Sequence, residues 1–332
     1  MKTAIVILNW NGRPLLERFL GNVVQHSAHL ATIYVADNAS TDTSVAFCND
    51  YFPNDVTVIQ NAENGGYAKG YQDALRHVEA DVYVLLNSDV DVKEGWLEPM
   101  LSVFESSSSI VAAQPKIKDL KRPTYFEYAG AAGGYIDALG YPYCRGRIFD
   151  SCEEDIGQYN DTVDVQWASG ACLFIKAAQY WEVGGLDEDF FAHQEEIDLC
   201  WRIKNKGYRI VAVGASEVFH LGGATLAASN PTKTFYNFRN TLFAVVKNSA
   251  SPTYILLIFF RLILDGIAGV KFLLEGKPKH LVAIIKAHFS FYKHLPSLLK
   301  KRKILQQRQD YYQIHSIVFE YFIKKKKSYR DL

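Results

Sequence analysis

Apolar residues recur along this chain in two rhythms. A β-branched run over 3–8 is closed by Asn9-Trp10-Asn11-Gly12, and Leu16, Phe19, Leu20, Val23 and Val24 then repeat at helical spacing over 13–26, with Pro14 in the first turn. The alternation continues as strand 32–36, helix 43–52, strand 56–60, then Glu63-Asn-Gly-Gly-Tyr67 and a helix to about Val78, strand 82–86, helix 94–105 and strand 109–113. Strand and helix in turn predict a parallel, right-handed, three-layer α/β domain. Over 116–162 the rhythm loosens into sequence rich in Gly, Tyr and Pro, with a short strand signal at 125–128. Strands at 163–167 and 171–175, helices at 177–183 and 194–206 and a strand at 209–213 follow. Composition changes after Gly222-Gly223, so the predicted organisation is one domain over 1–228 and a helical segment over 229–332. Within that segment 234–248 reads as helical, and Pro252 opens a second helix over 254–275.

The run 82–86 ends abruptly in Asn87, Ser88, Asp89 and Asp91. A buried strand that delivers carboxylates to its C-terminal edge places them where open α/β sheets keep their sites. Asp89 and Asp91 can hold Mg²⁺ or Mn²⁺ together with a substrate phosphate, or they can form the turn before the next helix. Asp37, Asn38, Ser40 and Asp42 reach the same edge. A carboxylate there can accept the N3 proton of a uracil or thymine ring, while the same residues also suit an Asx-turn and helix cap. Asn64-Gly65-Gly66 offers backbone amides to a phosphate, or a tight turn. Glu195, Glu196 and Asp198 crowd one first helical turn, where a carboxylate can take a proton from an attacking hydroxyl or complement the helix dipole. Asp198 with Arg202 is an ordinary i,i+4 pair. His220 can be a third metal ligand or a hydrogen-bonded structural residue.

Charge changes the picture at the C-terminus. From Lys271 onward there are fifteen Lys/Arg against four Asp/Glu, a local +11 in a chain of net charge zero, so residues 1–270 carry −11. An acidic body argues against a nucleic-acid groove; the basic tail argues for an anionic surface. In the helix over 254–275 the polar Arg261, Asp265, Lys271 and Glu275 share one arc, and they interrupt the apolar run before it is long enough to cross a bilayer. Lys279, Lys286, Lys293 and Lys300 recur every seven residues, and four lysines occupy 324–327. These features predict peripheral attachment to the cytoplasmic face of a membrane, or packing on the α/β domain or a partner subunit. Five scattered cysteines without a C-x-x-C pair read as free thiols of a reducing compartment, and the N-terminus shows no signal peptide.

The stretches Val6-Ile-Leu-Asn-Trp-Asn-Gly12, Asp37-Asn-Ala-Ser-Thr-Asp42, Asn64-Gly-Gly-Tyr-Ala68, Leu85-Leu-Asn-Ser-Asp-Val90, Ser169-Gly-Ala171, Glu195-Glu-Ile-Asp-Leu-Cys-Trp-Arg202 and His220 resemble family 2 glycosyltransferases in order and approximate spacing. The set is most similar to the rhamnosyltransferase-like branch that builds bacterial surface polysaccharides, and it covers residues 3 to 225. The resemblance implies a GT-A fold of α/β/α type and a UDP- or dTDP-sugar donor, dTDP-rhamnose among them. It also implies Mg²⁺ or Mn²⁺, a saccharide or lipid-linked acceptor, and inversion at the anomeric carbon; self-association is left open.

Carried across, the resemblance gives Asp37 the pyrimidine, with Asn9, Asn11, Asn38, Ser40, Asp42, Asn64, Gly66, Tyr67, Lys69, Asn87 and Ser88 around the nucleotide. It makes Asp89 the principal metal ligand, Asp91 its helper and His220 the later ligand. Trp167, Ser169, Gly170, Ala171, Asp198 and Arg202 fall near the sugar or acceptor. The chain departs from the family twice. Asn87 replaces the first acid of the D-x-D element, and Glu195-Glu196 replaces Glu-Asp, so the base lies between Glu196 and Glu195. The Q-x-x-R-W signature of processive synthases is absent, which predicts one sugar per encounter. Two other readings are a catalytically inactive nucleotide-sugar sensor or scaffold, and a nucleotidyltransferase. The latter calls for a Gly-rich loop where Asn9-Trp10-Asn11-Gly12 stands.

Overall fold

Side chains that alternate along each strand sort the core onto two faces of one sheet. The computed structural model describes residues 1–222, 230–249, 254–304 and 311–332. In chain order the elements are β1 (Thr3–Asn9), α1 (Arg13–Ser27), β2 (Thr32–Asp37), α2 (Ser44–Tyr51), β3 (Val56–Gln60), α3 (Gly66–Leu75), β4 (Val82–Asn87), β5 (Val90–Asp91), α4 (Leu97–Ser106), β6 (Ile110–Asp119) and β7 (Arg122–Phe126). There follow β8 (Gly134–Ile136), β9 (Pro142–Cys144), β10 (Arg147–Ile148), β11 (Ser151–Cys152), β12 (Thr162–Asp164), β13 (Cys172–Lys176), α5 (Ala177–Glu182), α6 (Glu195–Asn205) and β14 (Arg209–His220). Helices α7 (Pro231–Asn248), α8 (Tyr254–Leu274) and α9 (Pro278–Ile304) complete the set. Ala4 and Val6 of β1 pack with α3, α5 and α6 on one face, whereas Ile5 and Ile7 pack with α1, α2 and α4 on the other. A period of two therefore builds both outer layers, and the three-layer α/β/α expectation holds.

The central sheet runs β12-β14-β6-β13-β4-β1-β2-β3, with β5 on β14 and β7 on β6. β3, β2, β1 and β4 are parallel, as their alternation with helices predicts. β13 departs from that plan, entering antiparallel between β4 and β6. It sets out from the rim where β4 ends, the amide of Asn87 bonding the Ala171 carbonyl, so it must run back down the sheet. Two further strands outrun their sequence signals. β6 continues to Asp119, and β14 continues from Val213 to His220 through a register shift between Val213 and Glu217. Gly214 conceals that continuation, because any Cβ there would stand 2.2 Å from the Tyr159 carbonyl oxygen. The loose stretch 116–162 becomes β7 and a small antiparallel sheet, β11-β10-β9-β8.

Helix α7 is tied into the α/β body. Leu242 to Val246 are buried, Asn205 Nδ2 donates to the Asn248 carbonyl, and Arg239 and Asn240 bond the backbone of 189–193. Helix α8 reverses the usual burial. Arg261 and Asp265 are buried, with Arg261 Nη1 on the Leu139 carbonyl and its guanidinium 3.6 Å from the Tyr141 ring centroid, while Asp265 meets His288 of α9 at 3.1 Å. Ile255, Phe259, Ile263, Ile267 and Leu274 are exposed instead, Leu274 to 84%. The boundary at 228 and the helix start at Pro252 lie outside the described residues. Among the described residues no helix is long and apolar enough to cross a membrane.

Candidate functional site

Strands β4, β1 and β2 end side by side, and their terminal polar residues meet. Asn9 Nδ2 donates to Asp37 Oδ1 at 3.1 Å and to Ser40 Oγ at 3.2 Å, and the Ser40 amide donates to Asp37 Oδ2 at 2.9 Å. Asn11 Oδ1 accepts the amides of Thr41 and Asp42. Asp42 in turn caps two helix starts, accepting from the amides of Arg13 and Ser44. Asn38 bridges Asn61, Asn64 and the Gly66 carbonyl, and Asn64 Oδ1 also takes the Gly66 amide. Gly66 has φ +77°, and a Cβ on it would meet the Phe191 carbonyl oxygen at 2.6 Å. A side chain would therefore push the 191 loop away from the rim. Asn87 and Ser88 are half-buried beside this cluster.

Beyond β4 the chain turns, and β5 pairs antiparallel with the end of β14, placing His220 opposite Val90. His220 Nε2 then lies 3.1 Å from Asp89 Oδ1, and Nδ1 lies 3.1 Å from Glu127 Oε2. Burial alone would lower the imidazole pKa, but the two carboxylates outweigh it and raise it to about 10. This excess of negative charge suits a divalent cation, and the 3.1 Å Asp89–His220 separation matches the roughly 3 Å between neighbouring ligands of an octahedral ion bound at about 2.1 Å. Glu127 would then face the imidazole nitrogen that a metal leaves free, an arrangement that fixes ring orientation. Among the described residues no three His, Cys, Asp or Glu side chains form a complete cage. Mg²⁺-type ions rely on substrate phosphates and water for their remaining ligands.

The third part is a strained loop leading into α6. Phe191, His193 and Gln194 all have positive φ, at 64°, 68° and 72°. Such residues persist only where their surroundings over-determine them. Here Asn240 Nδ2 faces the carbonyls of Phe190, Ala192 and His193, and the amides of Tyr67 and Ala68 hold the Phe191 carbonyl. The loop delivers Glu195, buried, and Glu196, half-buried, to the rim beside Tyr67, whose hydroxyl donates to the Gly170 carbonyl at 2.6 Å. A Cβ on Gly170 would stand 3.7 Å from Glu196 Cβ. Burial raises both carboxyls, Glu196 to about 7, and Glu195 is driven further by the neighbouring Glu196. Burial pushes the Cys144 thiol up, Arg147 opposes the rise, and the charges of Glu127 and Glu196 add to it.

Several expected site residues are committed elsewhere. Asp91 Oδ1 accepts from Asn22 Nδ2 of α1 at 2.8 Å. Asp198 and Arg202, expected near the sugar or acceptor, are taken up by internal partners. Asp198 is fully buried and holds Arg202, Lys247 and Asn248, while Arg202 bonds the carbonyls of Val183 and Gly185. Trp167 is a core residue bonded to the Tyr135 carbonyl, and the Ser169 hydroxyl is turned to the Ala129 carbonyl. Ala171 is buried, its amide on Ser169 Oγ. Lys69 pairs with Asp73 within its own helix. Glu127, Cys144 and Arg147 went unseen because they lie in the stretch whose periodicity is unreadable. Asn240 and Lys247 read from sequence as ordinary helix positions.

Residues 4–152 match the family model described as Glycosyl transferase family 2. Over 234 residues the chain is 25% identical to the N-acetylglucosaminyl-diphospho-decaprenol L-rhamnosyltransferase of Mycobacterium tuberculosis, covering 65% of this chain and 75% of that one. It is 24% identical to the rhamnosyltransferase WbbL of Escherichia coli, covering 65% and 82%. Its fold resembles that of GalNAc-T7 solved with UDP, GalNAc and Mn²⁺, at a TM-score of 0.60 and 16% identity over 76% of this chain and 48% of that one.

Proposed function

We propose that this chain, a family 2 glycosyltransferase of GT-A fold, transfers one sugar from a pyrimidine nucleotide donor to a hydroxyl of a saccharide or lipid-linked acceptor, with inversion. The observation that carries this reading is the Asp89–His220 pair, held at 3.1 Å on the sheet rim and backed by Glu127. In it Asp89 and His220 would hold Mg²⁺ or Mn²⁺, and a cation bound there would supply positive charge to the leaving diphosphate. Asp37 accepts the N3 proton of the base, within the frame set by Asn9 and Ser40. Glu196 takes the proton of the incoming hydroxyl as it attacks the face opposite the departing nucleotide. The relatives named as rhamnosyltransferases favour a rhamnosyl, hence deoxyhexose, donor.

A thermal-shift panel of UDP-, dTDP- and GDP-sugars with and without Mn²⁺ or Mg²⁺ tests the reading. A ligand at a hundred times its Kd adds about 2.7 kcal/mol of stability. The expected result is a rise in Tm for a pyrimidine nucleotide-sugar that requires the cation and disappears in Asp89→Asn. A preference for the GDP-sugar, or shifts indifferent to the cation, would overturn it.

The same proposal places the enzyme on an anionic membrane surface. Helix α8 turns its apolar arc outward, Phe289 and Val282 of α9 are exposed beside it, and Lys279, Lys286, Lys293 and Lys300 are exposed along α9. Apolar area and basic side chains together suit the headgroup region, where each basic residue contributes about 1 kcal/mol. The full chain should co-sediment with vesicles rich in phosphatidylglycerol and release as salt rises. Equal sedimentation with phosphatidylcholine vesicles would remove the electrostatic part, and binding to neither would remove the proposal.

A further inference from the structure

The carbonyls of residues 190–193 are divided between two helices. Those of Phe190, Ala192 and His193 face Asn240 Nδ2 of α7 at 3.0, 2.9 and 2.6 Å, and Arg239 Nη2 gives Phe190 a second donor at 2.9 Å. The Phe191 carbonyl turns the other way and takes the amides of Tyr67 and Ala68, at 2.8 and 3.2 Å, in the first turn of α3. Left-handed backbone at Phe191, His193 and Gln194 supplies the turns that this division needs.

Asn240 is fully buried, and its amide has one orientation that fits. Oδ1 accepts Arg239 Nε at 2.8 Å, which leaves the NH₂ group for the loop. Its two hydrogens are shared among three carbonyls, and His193 makes the shortest contact. One turn further along α7 the Phe243 ring meets Phe190 edge-on at 5.7 Å, so the loop is packed as well as bonded. Helix α6 begins at Glu195, and the side chain of Gln194 before it makes no capping hydrogen bond. The direction in which α6 sets out is therefore fixed from α7, and Glu196 is its second residue.

We propose that Asn240 is a positioning residue for Glu196, holding the first turn of α6 in place through the carbonyls of Ala192 and His193. The inference rests on the reading of Glu196 as base. It separates two tasks within one loop. The Phe191 carbonyl, which Asn240 does not touch, serves the start of α3 beside Asn64 and Gly66, whereas the carbonyls on either side of it serve the base.

Steady-state release of dTDP from dTDP-rhamnose by the full chain in Mn²⁺, with water as acceptor, tests this in the wild type, Asn240→Ala, Glu196→Gln and the double variant. Asn240→Ala should lower kcat about 10- to 100-fold, the cost of an ångström-scale misplacement, and leave KM within about twofold. In the Glu196→Gln background the same substitution should cost less than about twofold, because the group it positions is gone. Thr241→Val removes a buried hydroxyl of α7 that bonds only along its own helix, and it should lower Tm without lowering kcat. Arg239→Lys keeps the charge and loses the Nε bond to Asn240; it should show the same kcat loss at smaller size, and it reads the clamp if Asn240→Ala does not fold. Hydrogen exchange reads the clamp without substrate: Asn240→Ala should exchange faster over 190–198 and unchanged over Thr3–Asn9, and equal exchange over 190–198 would overturn the proposal whatever the rates. A kcat loss that is just as large in the Glu196→Gln background would overturn it too, as would an equal loss in Thr241→Val. Full activity in Asn240→Ala beside a slow Glu196→Gln would sink the positioning role alone. Full activity in Glu196→Gln would sink the base, and the proposal with it.

Discussion

Glu196→Gln should bind the donor with unchanged affinity and transfer sugar about 10²- to 10⁴-fold more slowly, the range in which a positioned general base acts. The substitution keeps shape and removes only the proton acceptor. Burial pushes the Glu196 carboxyl up to about 7, against the pull of backbone amides at the start of α6 and of Gly170. A base with that pKa is ionised at and above neutrality, so kcat/KM should fall about tenfold per pH unit below 7 and level off above it. The variant should lose this acidic limb together with its rate. Glu195 differs: it is buried, and burial with the adjacent Glu196 raises its carboxyl well above the ordinary range, which opposes the ionised form a base needs. Glu195→Gln should therefore lose less than tenfold. The amide also relieves repulsion between neighbouring carboxyls, so the Tm of Glu196→Gln should not drop. Stopped-assay rates and a pH profile decide the matter; near-normal turnover by Glu196→Gln, or a deeper loss in Glu195→Gln, would move the base elsewhere.

Sequence was most informative where local periodicity and chemistry coincide. Strands β1, β2, β3 and β4 announce themselves as apolar runs, each closed by the polar residues that meet at the rim. The acidic turn at Glu195 and the lone His220 were legible as residue types. What brings them together was not, because it depends on long-range pairing. β14 reaches His220 only by crossing Gly214, and β5 holds Asp89 against it through two residues of pairing. Glu127 lies on a loop whose position is fixed by the Ile117 carbonyl accepting its amide, a contact no spacing rule encodes. Asp198 shows the opposite failure. Its acidic motif looked chemical, yet zero exposure and three basic or amide partners make it structural. The sequence of helix α8 is amphipathic, but its pattern does not say that the charged arc faces inward.

Removing Asp198 should cost more stability than any exposed ion pair in the protein. Asp198 binds Arg202 Nε at 2.9 Å, Lys247 Nζ at 2.8 Å and Asn248 Nδ2 at 2.8 Å, and Lys247 also reaches Asp187 at 2.6 Å. Asp187 continues the chain of charge to Lys301 of α9, which closes on Asp189 at 2.7 Å. The network therefore fastens α7 and α9 to the loop that carries Glu196. Breaking a buried pair by deleting one member typically costs about 3–5 kcal/mol, because the partner charge stays buried and unmatched. Asp198→Ala should lose stability of that order in urea titration, and Lys247→Met a comparable amount. The pair Asp198→Asn with Lys247→Met should recover part of it, since the buried Lys247 ammonium is removed together with the carboxylate, while Arg202 keeps the carbonyls of Val183 and Gly185. The pH dependence has a definite sign. Burial alone would raise the Asp187 and Asp198 carboxyls, but Lys247 outweighs it with help from Lys301 and Arg202, and both are held below the ordinary range. Groups depressed in the folded state add stability that is complete above their unfolded pKa, about 3.9, and drains away as pH falls below it. Wild-type stability should thus decline steeply below pH about 4, whereas the double variant should decline less. Parallel acid titrations of the two proteins would refute the network as the fastening of α7 and α9.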